Sequence, residues 1–130
     1  MSLVWKYVIA TNRTMFEKFR EMYGFEVPED LQELVMEANA GTPSMYNIKD
    51  ENGRERVLGA ILSFNEGDDD NIWDAMESEE GKKYIPFAVD PFGNYFYENV
   101  LLGNIIIIDH ETSEKYAISD SLDEMVRNLY

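Results

Sequence analysis

Apolar positions recur at helical spacing in three places and bunch into short runs between them. Met15, Phe16, Phe19, Met22 and Tyr23 fall on one helical stripe, and Gly24 stops it. Thr14 with Glu17 three residues on fits a capping box at its start. A second stripe, Leu31, Leu34, Val35 and Ala38, follows Pro28. Glu29 and Asp30 lie beside its positive end, and Asn39 to Gly41 close it. The third stripe, Leu122, Met125, Val126 and Leu129, predicts a C-terminal helix with Ser119 or Ser121 as its cap.

Between these lie strand-like runs. Leu3 to Ile9 reads as an extended entry segment. Met45–Lys49 and Arg56–Phe64 flank an Asn52-Gly53 turn signal and read as a hairpin. Tyr84–Val89, Tyr95–Val100, Ile105–Ile108 and Lys115–Ile118 complete the set, and a short helix opens near Asn71. Two helices, a run of strands and a last helix predict an α+β fold. Its central sheet is mostly antiparallel or mixed, with about five to six strands. At 130 residues without a linker or repeat, residues 1–130 read as a single domain.

Charge changes the picture most. The chain carries 26 acidic against 11 basic residues, a net −15. Met1–Asn65 holds ten acids and seven bases, whereas Glu66–Tyr130 holds sixteen and four. Such a chain repels nucleic acid and anionic membrane and favours a basic partner. No run reaches the length of a bilayer span, and the N-terminus lacks the features of an export signal, so a cytoplasmic location is expected. The absence of cysteine excludes disulfides, thiol catalysis and thiolate metal sites.

Three stretches are candidates for chemistry. "EGDDDNIWDAMESEE", residues 66–80, has eight acids and no base. Its consecutive acids do not match the alternate ligands of an EF-hand loop, so neither metal nor cofactor is expected. It is either a solvated loop or a surface for a basic partner. On the second reading the contact residues are Asp68, Asp69, Asp70, Trp73, Asp74, Glu77, Glu79 and Glu80. Trp73 is equally readable as core.

"YIPFAVDPFGNYF" holds a single charge. Asp90, Pro91, Gly93 and Asn94 each have a local backbone task in a tight turn, which makes the stretch scaffold, with Phe92 exposed at its tip as a further contact candidate. His110, the one histidine, stands in "DHE", but no cysteine or serine elbow supplies a nucleophile, so no catalytic residue is assigned.

The phrases "GFEVPEDLQELVMEANAGTP", "ILSFNEGDDDNIWD", "YIPFAVDPFGNYF", "IIIIDHE" and "AISDSLDEMVRNL" occur in an order that resembles the SUKH superfamily, from about Tyr23 to Leu129. This superfamily includes fungal cell-wall synthesis regulators and bacterial toxin-immunity proteins. The resemblance implies a non-enzymatic protein-binding module. One version is an immunity protein that neutralises a cognate toxin, often a nuclease and therefore basic. The alternative is an intracellular regulatory interaction domain of the fungal type.

Overall fold

A computed structural model describes residues 2–77 and 84–130 of the chain. The first two stripes form α1 (Thr14–Tyr23) and α2 (Glu29–Ala38). In α1 the buried face is Phe16 and Phe19, with Met15 and Tyr23 packed at its edge. Met22, placed on the stripe by spacing, is exposed. In α2 the buried face is Leu31, Leu34, Val35 and Ala38, as the spacing predicts. The capping box at Thr14 does not form, because Thr14 is already inside the helix. Arg13 stands at the N-cap without a side-chain cap, and Asn12 just before it accepts at its Oδ1 from the Thr14 backbone N–H at 3.0 Å and from the Thr14 hydroxyl.

The strands group into three sheets among the described residues. β1 (Trp5–Lys6) pairs with β2 (Thr42–Pro43), and β3 (Asn47–Lys49) with β4 (Glu55–Val57). The main sheet is an antiparallel meander of β5 (Ala60–Ile61), β6 (Tyr84–Val89), β7 (Tyr95–Asn99), β8 (Ile105–Ile108) and β9 (Lys115–Ser119), in sequence order. The fold is α+β. The run Arg56–Phe64, read as one hairpin strand, divides at Gly59 between two sheets. Its N–H bonds to the Val89 carbonyl at 2.9 Å, and a β-carbon there would lie 2.8 Å from that same oxygen. Only glycine allows the two backbones to meet so closely. The entry segment is extended over just two residues, because Tyr7 turns into the left-handed region at φ 62°.

One face of the meander carries Ile85, Phe87, Phe96, Ile105 and Ile107 into the core shared with α1, α2 and α4 (Leu122–Asn128). In α4 Ser121 is the cap, accepting from the Glu124 N–H at 3.1 Å. Leu122, Met125 and Leu129 are buried, and Val126 is partly so. The other face gathers Tyr97, Ile106 and Ile108 with Tyr84 and Tyr95 at the edge. Alternation along β7 and β8 thus sends neighbouring residues to two apolar clusters. It also sends Glu98 to the core side, where it is 1% exposed between Ile85 and Ile105.

Candidate partner interface

The acidic loop is built from the polar residues that precede and follow it. Ser63 and Asn71 form a short parallel bridge, with Ser63 N–H to Asp70 O at 3.0 Å and Ile72 N–H to Ser63 O at 2.8 Å. A buried knot ties this bridge to the rest of the chain. Asn39, at the end of α2, accepts from the Phe64 N–H at 2.8 Å and donates to the Ile9 carbonyl and the Ser63 hydroxyl. Ser63 in turn donates to Asp68 Oδ2 at 2.8 Å, and Asn65 donates to the same oxygen at 3.2 Å. Asp68 therefore serves the loop's own architecture.

Asn71 then starts α3 (Ile72–Glu77). Its Oδ1 accepts from the Asp74 N–H at 2.8 Å, and its amide donates to Asp74 Oδ2 at 3.0 Å. This reciprocal exchange satisfies a helix-start donor and fixes the Asp74 carboxylate. Asp69, Asp70 and Glu77 are exposed, and no ion pair among the described residues engages them. Glu66 pairs with Lys18. Glu79 and Glu80 lie outside the described residues.

Trp73 is half-buried. Its indole N–H donates to the Phe64 carbonyl at 3.0 Å, its ring stacks on Tyr23 at 6.4 Å between centroids, and Lys18 lies 5.0 Å from the ring centroid. The tryptophan thus fastens α3 to α1. Asp70 and Asp74 also act on Tyr95, whose phenol is raised first by burial and then by these two charges. The acidic loop therefore sits by the start of β7.

Beside the loop is an open cleft of about 430 Å³. Asp68, Asp69 and Asp70 line it together with Tyr7, Ile9 and Ala60. Tyr7 is 81% exposed, and Tyr7, Ala40 and Asp70 all hold positive φ, at 62°, 64° and 48°. Three non-glycine residues in this sparsely populated region line one cleft, which carboxylates share with the exposed side chains of Tyr7 and Ile9.

Phe92 is not part of this surface. It is 75% exposed at the tip of the β6–β7 turn and lines a separate cleft of about 310 Å³ with Arg54, Arg56, Asp109 and His110. The turn itself is closed on all sides. Asp90 Oδ1 accepts from the Phe92 and Asn94 N–H groups at 2.9 and 2.8 Å, and Oδ2 accepts from the Asn94 amide at 2.9 Å. Gly93 stands at φ 88°. Asn94 then accepts from the His110 N–H, and His110 Nε2 donates to the Phe92 carbonyl at 2.9 Å. Backbone hydrogen bonds from Glu111 and Thr112 hold the Asp109 carboxyl below its usual range. The histidine thus joins two turns, and its neighbouring acid holds the second one.

Sequence reading passed over one feature beneath this cleft. Asp50 organises the β3–β4 turn, accepting from the Asn52 and Arg54 N–H groups, and forms a buried ion pair with Arg56 at 3.0 Å. Burial alone would raise the Asp50 carboxyl, but the Arg56 and backbone hydrogen bonds bring it below its ordinary value. An aspartate two residues before Asn-Gly with an arginine six residues on from it was the available signal.

No curated protein matches the chain. A family profile does, over residues 11–128, which takes in both turns, the acidic loop and all but the entry strand. On that match the chain belongs to the SMI1 / KNR4 family (SUKH-1).

Proposed function

We propose that this chain is a non-enzymatic protein-binding module, an immunity protein that neutralises a cognate toxin by covering its basic surface. The observation that carries this reading is the anchored acidic loop. Its framework is held by the Asn39–Ser63–Asp68 knot, while among the described residues no ion pair engages the exposed Asp69, Asp70 and Glu77, and Asp69 and Asp70 share their cleft with Tyr7 and Ile9. A rigid frame lowers the ordering cost of binding, and free carboxylates steer a cationic partner and fix its register. A nuclease toxin presents cations because it must hold phosphate, and a carboxylate-rich surface competes for those same cations. Family membership supports a protein-interaction domain of this general kind. The net charge of −15 favours a basic partner, as a phosphate-binding toxin would be.

The test is co-expression with the product of the adjacent gene. A stable complex that relieves the growth defect caused by that product is expected. Full toxicity with no co-purification would contradict the proposal.

A further inference from the structure

The cleft beside the β6–β7 turn, about 310 Å³, reverses the balance of the acidic loop. Most of its acids are already engaged. Asp90 accepts three hydrogen bonds, Asp109 accepts from the Glu111 and Thr112 N–H groups, and Glu55 accepts from the Tyr130 hydroxyl at 2.9 Å. Its cations are not used up. Arg54 is exposed, and no ion pair among the described residues engages it. Phe92 and the partly buried Val57 supply apolar lining.

Arg56 adds a second, independent observation. It is 6% exposed yet lines this cleft. Its Nε–H donates to Asp50 Oδ2 at 3.0 Å, and its Cζ lies 4.8 Å from the centre of the Tyr116 ring. Its Nη2 is buried and has no hydrogen-bond partner. Three other buried side-chain atoms among the described residues share that condition, Thr11 Oγ1, Glu98 Oε1 and Asn104 Oδ1, and none belongs to a residue of the cleft. Guanidinium is always charged and carries five N–H donors, so an unmet nitrogen on it is an unmet charged donor. Such a group away from water costs more than an unmet neutral one.

We propose that this cleft binds a carboxylate carried on an apolar group, its oxygens meeting Arg56 and Arg54 and its apolar part lying on Phe92 and Val57. A carboxylate offers two acceptors in one plane, which matches an edge of the guanidinium fork. A dianion fits worse, because Asp109 and the exposed Glu111 line the same cleft and repulsion grows with ligand charge. Nη2 is sealed from solvent, so the carboxylate reaches it as the side chains around it shift, and binding registers on Arg56 as well as on the exposed Arg54. A free apolar acid and the C-terminal residue of a protein chain present this same chemistry. The site lies apart from the acidic loop and goes beyond the toxin reading.

The probes are phenylacetate, the peptide Ac-Ala-Ala-Phe-OH, its C-terminal amide and inorganic phosphate. Each is titrated into the full chain by NMR near physiological salt. We expect saturable shifts at the Arg56 Nε–H and at the Phe92 and His110 amides with the two carboxylates. The peptide amide should bind at least about tenfold more weakly than the peptide acid, and phosphate more weakly than phenylacetate. A chain end as the natural ligand predicts the peptide acid about tenfold tighter than phenylacetate; a free acid predicts equal or reversed affinities. Arg56→Lys keeps a charge beside Asp50 but removes Nη2, and should weaken the carboxylates about tenfold. Should that variant fail to fold, Arg54→Gln/Phe92→Ala carries the same prediction on exposed positions. Arg13→Gln, which removes one charge elsewhere, should weaken binding less than about twofold. Equal binding of peptide acid and amide, phosphate binding more tightly than phenylacetate, shifts away from the cleft, equal weakening by Arg13→Gln, or no binding of either carboxylate would each overturn the proposal. The assay contains no toxin, so its outcome is distinct from that of the toxin reading.

Discussion

At Asp90–Asn94 both carboxylate oxygens of the one acid are consumed by hydrogen bonds, and the turn is clamped to the next by Asn94 and His110. At Asn65–Asn71 a similar set of Asn, Asp and Gly residues consumes Asp68 but leaves Asp69 and Asp70 exposed. Both segments are frames built from side chain to backbone bonds. The first is saturated and its charge is buried; the second carries more charge than its own architecture uses. A polar turn whose acceptors are all occupied has no spare carboxylate for a cationic partner, although Phe92 stays exposed at its tip. One with surplus carboxylates on an anchored backbone does.

The comparison breaks most visibly at Asp90. Asp90→Ala removes three hydrogen bonds and leaves the Phe92 donor in a partly buried place and the Asn94 donors in a buried one unmatched. Unfolding by urea should show a loss of about 2–4 kcal/mol. A loss below about 0.5 kcal/mol would mean that the turn is held by something other than its acid. Gly93→Val attacks the same turn through its backbone, since a β-branched side chain strongly disfavours φ near 88°. The expected cost is about 1–3 kcal/mol, and an unchanged melting temperature would place Gly93 outside the left-handed region.

Glu98 sharpens the contrast from a third direction, as a carboxyl that is buried without being saturated. Its value rises from the ordinary 4.5 to about 9 in the folded chain. Below the ordinary value it is protonated in both states and costs nothing. Between the two, the folded chain holds a proton that the unfolded chain releases, so stability is lost as pH rises through that window. Glu98→Gln should therefore gain stability as pH is raised, on the order of 1–3 kcal/mol at pH 8 and close to nothing at pH 4. A gain that is constant across pH would show that Glu98 is not held protonated.

Much of this architecture was legible in the chain. The α2 stripe, the Ser121 cap, the Gly24 stop and the scaffold character of the Asp90 turn follow from local spacing and turn chemistry. What local pattern could not supply was set by distant partners. Gly59 splits one apolar run between two sheets because Val89 lies against it, and Trp73 is drawn half inward by Tyr23 and Phe64. Asp68 and Asp74 look like Asp69 in sequence. They differ only because Ser63 and Asn71 are folded against them. The acidic segment was visible as a charge anomaly, but its division into structural and free carboxylates required the three-dimensional knot.

The smallest expected effect on stability, and the most direct test of the central claim, comes from the free carboxylates. Asp69→Asn/Asp70→Asn/Glu77→Gln should leave folding stability within about 0.5 kcal/mol of the parent, or raise it through lower self-repulsion. The decisive measurement is association kinetics of this variant with the proposed toxin partner at low and high salt. The account predicts association slower by about tenfold at low salt, with a flattened salt dependence and a dissociation rate changed far less. Association as fast as the parent's at both salts would contradict it and leave the acidic loop as solvated surface.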